Sequence, residues 1–241
     1  MSEATRIKPA HGAEALQVLC ASALRSAVSE CAQQFHAANG AGFDIAWCTS
    51  GAVEERIAAG ETFDLAGGAR DALDQLTKRG CMSERVVNMG VSQLALGIRE
   101  GEHAPDVSSL AAFKEAMLAA KSISRGDPAG GGTAGKHLVH VFEQMGILEM
   151  VEAKSVLRAG GFKVMSEVAQ GHADFGLTQS TEIPAVAGVR IGAFLPQEIQ
   201  MRTVYAMGVC KAAPLAAQAF EEFLASHEAR AAFASAGFAP V

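Results

Sequence analysis

Four short polar turns carry the residues best suited to chemistry in this sequence. They are Ala21-Ser22-Ala23, Cys48-Thr49-Ser50-Gly51, Gly130 to Thr133, and Thr178-Gln179-Ser180-Thr181. Each follows an apolar run and precedes a helix-like pattern. Hydroxyls, side-chain amides and free backbone N–H groups at a helix start bind anions without needing a net positive charge. Any one of these turns is also what an ordinary helix N-cap looks like. Four of the same kind, at matching points along the chain, favour a shared anion site. The third turn lies in "SRGDPAGGGTAGKHLVHVF". There Gly131 and Gly132 are expected to let the backbone amides near Thr133 approach the anion closely.

Side chains with charge or a titrating ring flank these turns. Arg70 follows "LAGGA", and its forked guanidinium suits a carboxylate better than a lysine would, although long cations are usually solvated. Arg125 directly precedes the glycine turn and is a candidate second cation. Lys136 and His137 stand early in the next helix, where a cation opposes the helix dipole unless an anion is near. His137 is the candidate base, because an imidazole titrates near neutral pH. Other residues have plainer readings. Arg25 is expected at the surface. Glu182 is expected to stabilise a helix start. Cys20 and Cys48 are expected to pack as small hydrophobes. His137 and His140 have an H-x-x-H spacing without further ligands, so no metal is expected, nor any cofactor. No nucleophile–base triad can be argued from spacing.

The elements that must position these turns repeat one plan. "LQVLCAS", "FDIAWCTSG" and "FDLAGGA" read as strands closed by small residues. Each is followed by a helix: about Ala23–Ala38 stopped at Asn39-Gly40, a short helix in "AVEERIAAGE", and Arg70–Lys78. Strand–turn–helix repeats mean a parallel sheet, whose ligands sit beyond the carboxyl ends of the strands. "RVVNMGVSQLALGIREGE" is a long extended stretch with a break near Gly90, read as the crossing into a second lobe. The plan then resumes: helix Leu110–Ala120, strand Lys121–Arg125, the glycine turn, and helix Thr133–Met145. "MVEAKSVLR" reads as a strand, "GFKVMSEVAQG" as a helix, and "ADFGLTQSTEI" as a strand with a polar turn. "VRIGAFLP" and "RTVYAMGVC" are later strands, and the end reads as two helices split near Ser226. The expected division is 15–89 plus 206–241 as one lobe and 90–205 as the other. Residues 1–14 are read as a poorly ordered extension.

Composition sets limits on partners. The 241 residues are 49% hydrophobic and 19% charged, which suits a packed globular chain. A net charge of −6 argues against nucleic acid. No run approaches 18 uncharged apolar residues, so no membrane insertion is expected. The start, broken by Glu3, Arg6, Lys8, His11 and Glu14, does not read as a secretion signal. The five cysteines are scattered, with no metal spacing, and are expected to be reduced. A cytoplasmic location is the expectation. Oligomeric state is left open.

The stretches "VLCASALRSAV", "FDIAWCTSGAVEERIAAGETFDLA", "SISRGDPAGGGTAGKHLVHVFEQMGI" and "GHADFGLTQSTEI" resemble the molybdate-type substrate-binding proteins of ABC transporters. The resemblance spans about Leu16 to Phe238. It implies an α/β chain with the type II periplasmic-binding-protein fold: two parallel-sheet lobes with a ligand cleft between them. It also implies that Ser22, Thr49, Ser50, Thr133 and Ala134 hold an oxyanion. In molybdate binders the fourth turn carries a tyrosine, whereas this sequence has Gln179, next to Ser180. "GDPAGGGTAG", "ADFGLTQSTEI" and "FLPQEIQMRTVYAMGV" look closer to a divergent subgroup that includes aconitate isomerase, an enzyme built on the binding-protein fold.

Two functions follow as expectations. One is an isomerase that binds an unsaturated di- or tricarboxylate and shifts a proton on it, with Ser22, Ser50, Thr133, Gln179 and Arg70 holding the ligand. Such a shift needs donors for a developing dienolate and a base within reach. The other is a non-catalytic receptor or sensor for molybdate or a similar oxyanion.

Overall fold

The computed structural model describes residues 4–10 and 13–241. The chain forms two compact units, Met1–Val91 with Thr203–Val241, and Ser92–Arg202. The crossings therefore lie at 91/92 and 202/203, against 89/90 and 205/206 in the sequence reading.

The first unit opens with β1 (Ala4–Ile7), then β2 (Leu16–Ala21), α1 (Arg25–Asn39), β3 (Phe43–Cys48), α2 (Ser50–Ala58), β4 (Leu65–Ala69) and α3 (Arg70–Lys78). β2 pairs in parallel with β3 on one side and β4 on the other. β1 adds to β3 antiparallel, with Ala4 opposite Ala46 and Ile7 opposite Phe43. Segment 1–14 is thus more than a poorly ordered extension: it contributes an edge strand, and the Trp47 ring N–H donates to the Thr5 hydroxyl at 2.9 Å. Residues 1–3 and 11–12 of that expectation lie outside the described residues.

Successive residues of a strand face opposite sides of its sheet, so a doubly covered sheet needs apolar residues at both parities. β2 meets this need. Val18 and Cys20 join Phe35, Phe43 and Phe220 in one core, and Leu19 joins Val53, Leu73 and Leu76 in another.

The chain leaves this unit along β5 (Met82–Arg99), a single long strand, and builds the second unit from α4 (Leu110–Ala119), β6 (Ile123–Gly126), α5 (Thr133–Gln144), α6 (Leu148–Glu152), β7 (Ser155–Arg158), α7 (Gly161–Ala169), β8 (Phe175–Gln179) and β9 (Val189–Phe194). β6 pairs in parallel with β7 and β8. β8 and β9 flank β5 antiparallel. One core gathers Leu96, Phe113, Leu138, Phe142 and Leu177; another gathers Val164, Met165, Val168 and Ile183. "MVEAKSVLR", expected as one strand, divides instead into α6 and β7. Val151 is buried on α6, and the Ser155 hydroxyl donates back to the Val151 carbonyl at 2.7 Å.

The return runs through β10 (Arg202–Cys210), antiparallel to β4, into α8 (Leu215–Leu224) and α9 (His227–Ser235). Ser226 separates the last two helices and caps the second, accepting the Ala229 N–H at 3.2 Å. Each unit therefore has a three-strand parallel centre, with antiparallel strands added beside it. No helix is long and apolar enough to cross a membrane among the described residues.

Candidate functional site

In the first unit the expected turns all fall at strand ends. Ser22 opens a 3-10 turn (Ser22–Leu24) that follows β2 and is half-buried. Thr49 is the N-cap of α2 and accepts the Ala52 N–H at 3.2 Å. The buried Ser50 hydroxyl accepts the Ala69 N–H at 3.1 Å, which ties the second turn to the third. A hydroxyl that accepts one bond still has a proton to donate. Arg70 begins α3, but its fork is engaged on its own side of the unit. Nε donates to Asp74 Oδ1 at 2.7 Å and Nη1 to Asn88 Oδ1 at 2.8 Å. The carboxylate that Arg70 meets is therefore one of the chain's own.

In the second unit, β6 leads into the glycine turn. Asp127 accepts the Ala129 N–H at 2.9 Å and starts a 3-10 turn, Pro128–Gly130. Gly131 has φ +73°, the left-handed region that favours glycine. Gly132 has φ −77° and ψ 127°, which any residue adopts, so of the two expected glycines only Gly131 is required by backbone conformation. Gly132 is the N-cap of α5 and has no side chain to cap with. The first N–H groups of α5, at Thr133 and Ala134, thus receive no side-chain cap from residue 132.

The closest backbone approach lies elsewhere, between Gly126 and Gly135. A methyl on Gly135 would stand 2.6 Å from the Gly126 carbonyl oxygen. The sequence reading did not single out this pair; its signal was the recurrence of glycine on both sides of the turn. Lys136 is exposed. His137 Nε2 lies 2.8 Å from the Ile199 carbonyl oxygen. A carbonyl only accepts, so Nε2 carries a proton and a neutral ring keeps Nδ1 as its basic nitrogen. His140 Nε2 is 2.9 Å from Gln144, and the described residues contain no cluster of three or more ligands that could hold a metal.

Gln179 ends β8 and is buried, as are Ser180, Thr181 and Glu182. The Ser180 and Thr181 hydroxyls stand 3.2 and 3.3 Å from that of Ser92. Sequence reasoning missed Ser92. Its signal was a small polar residue inside the otherwise apolar run of β5. Glu182 supports the turn from behind: it accepts the Gly161 N–H at 2.9 Å, at the start of α7, and the Thr178 hydroxyl at 2.7 Å.

Two expectations about charge change. Arg25 is half-buried, its guanidinium 5.4 Å over the Trp47 ring, where a cation–π contact replaces solvation. Arg125 points into the second unit's interior beneath α5, and not toward the turn it precedes. Its Nε donates to the Ser155 hydroxyl at 2.8 Å and its fork lies 5.8 Å over the Phe142 ring. The cysteines are free. Burial pushes the Cys20 thiol well above its ordinary range, Cys31 and Cys210 up to about 12, and Cys48 up to about 11.

Residues 16–239 match the family model described as bacterial extracellular solute-binding protein. The chain belongs to this family. Its fold is the type II periplasmic-binding-protein fold. This solute-binding protein is 30% identical over 234 residues to an aconitate isomerase of a Pseudomonas species, covering 94% of this chain and 88% of that one. It is 24% identical over 241 residues to the molybdate-binding protein ModA of Mycobacterium bovis, covering 96% and 87%. The periplasmic molybdate-binding protein of Azotobacter vinelandii superposes with a TM-score of 0.78 at 20% identity, over 94% of this chain and 99% of that one.

Proposed function

We propose that this solute-binding protein holds a small di- or tricarboxylate at the polar turns and acts on it as an isomerase. The observation that carries the reading is the 30% identity to aconitate isomerase across 94% of the chain. The geometry supports it with donors of the right kind. Each unit carries such donors: the hydroxyls of Ser22 and Ser50 in the first, and in the second the N–H groups of Thr133 and Ala134 at the start of α5 and the Ser180 hydroxyl, all of a kind that suits carboxylate oxygens and the charge of a dienolate.

In the proposed step a base removes a proton from the carbon next to the double bond. The electron pair spreads into the conjugated carboxylate as a dienolate, and the proton returns to the carbon at the other end. His137 is the proposed base through Nδ1, its Nε2–H being held by the Ile199 carbonyl. A cytoplasmic setting belongs to the same proposal and is supported by the free thiols; cell fractionation tests it.

A second reading is a non-catalytic receptor for molybdate or a similar oxyanion. It is favoured by the engagement of Arg70 with Asp74 and Asn88, because a tetrahedral oxyanion needs only neutral donors. Calorimetry with trans-aconitate, citrate and molybdate separates the two. Binding of the carboxylates supports the isomerase reading. Binding of molybdate alone replaces it with the receptor.

A further inference from the structure

His137 is held by a part of the second unit that lies far along the chain. Its Nε2 meets the Ile199 carbonyl oxygen at 2.8 Å, across 62 residues. Ile199 ends a 3-10 turn, Gln197–Ile199, and is buried in the same core as Leu138, the neighbour of His137. The next residue, Gln200, is half-buried, and its side-chain amide is fastened on every side. Oε1 accepts the Leu94 N–H at 2.7 Å. Nε2 donates to the Leu94 carbonyl at 3.1 Å and to the Leu195 carbonyl at 3.2 Å. An amide side chain has one oxygen and two N–H donors, so all of its groups are engaged here. It pairs with Leu94 much as the backbone of a neighbouring strand would.

Leu94 is a junction within the unit. On β5 it stands opposite Gln179, the residue that ends β8 at the fourth polar turn. We propose that Gln200 is a positioning residue for the reaction. It locks the Gln197–Ile199 turn to β5, and the Ile199 carbonyl then holds the His137 ring with Nε2 protonated and Nδ1 as the basic nitrogen. Gln200 acts through Ile199 and not on the substrate. This inference rests on the reading of His137 as the base. A ring that turns or changes tautomer presents the wrong nitrogen for part of the time, so a base of this kind needs a fixed partner on its other nitrogen.

The test reads the ring and the reaction separately. A ring N–H held by a carbonyl is protected from exchange and gives a resolved proton NMR signal in water. The His137 Nε2–H is expected to give one in the wild type, assigned by its absence in His137→Ala. Gln200→Leu removes the three side-chain hydrogen bonds and keeps much of the volume. It is expected to lose that signal to exchange. It is also expected to lower kcat for trans-aconitate about tenfold, short of the ~100-fold that a displaced catalytic group costs, with KM changed less than about twofold. Ser109→Ala removes the cap of α4 in the same unit and is the stability control. It is expected to lower the thermal midpoint and leave the signal and kcat alone, and a merely structural Gln200 would behave in the same way. If Gln200→Leu does not fold, Gln200→Glu decides: it keeps an oxygen for the Leu94 N–H but loses both donors, and the signal is expected to vanish there too. A retained signal in a folded Gln200 variant, or an unchanged kcat despite its loss, overturns the inference and leaves the isomerase reading intact. A wild type that leaves trans-aconitate unconverted overturns the isomerase reading, and the ring signal still reports whether Gln200 holds His137.

Discussion

The turns of the first unit and the glycine turn of the second stand at equivalent strand ends but are finished differently. In the first unit side chains close the structure. Thr49 caps α2, Ser50 holds the Ala69 N–H, and Arg70 is engaged by Asp74 and Asn88. At the glycine turn Gly132 gives α5 no side-chain cap. Side-chain capping makes a turn self-sufficient, whereas a glycine N-cap leaves backbone donors for something else. The same residue types that suggest binding in a sequence can therefore be consumed by the fold.

The sharpest way to break the contrast is at Gly135. A side chain there meets the Gly126 backbone, which cannot rotate away as a side chain can. Gly135→Val is expected to cost about 3 kcal/mol, at the upper end for overpacking, and to abolish anion binding. Thermal denaturation and calorimetry check both. Thr49→Ala removes a cap in the other unit and is expected to cost about 1 kcal/mol in chemical denaturation.

Gly132→Ser is expected to run the opposite way. Its backbone angles accept serine, and the new hydroxyl caps α5, adding a few tenths of a kcal/mol. The same hydroxyl takes N–H groups that the ligand needs, so anion affinity is expected to fall about threefold, the equivalent of a weak hydrogen bond. Stability and binding moving apart in one variant is the signature of an open helix start. The smallest effect on affinity is expected at Arg70. Its partners hold it beside α3, so Arg70→Ala is expected to change carboxylate affinity less than twofold and stability by about 0.5 kcal/mol. A loss of tenfold or more in calorimetry would return Arg70 to the site.

The strand–turn–helix plan was legible because both faces of each parallel sheet need apolar residues and the turns between elements do not. α3 runs from Arg70 to Lys78, and α5 begins at Thr133, as the periodicity indicates. α6 was missed because five residues are too few to show a helical period, and "MVEAKSVLR" has the β-branched residues of a strand. The positions of the turns were legible; the destinations of their side chains were not. Whether an arginine reaches outward, like a ligand-binding group, or inward under a helix depends on neighbours distant in sequence. Arg125 finds Ser155 and Phe142 there, 30 and 17 residues away. Ser92 escaped notice for the same reason: its partners, Ser180 and Thr181, lie on the far side of the unit's sequence.

Proton NMR of trans-aconitate with the protein in D2O tests the central claim most directly. The isomerase reading predicts interconversion with cis-aconitate, accompanied by deuterium entering the methylene position, because the shifted proton passes through a base that exchanges with solvent. It further predicts that His137→Ala lowers the rate at least a hundredfold while the ligand still binds, the usual scale of a lost general base. Bound trans-aconitate that neither isomerises nor acquires deuterium would contradict it and leave a binding protein.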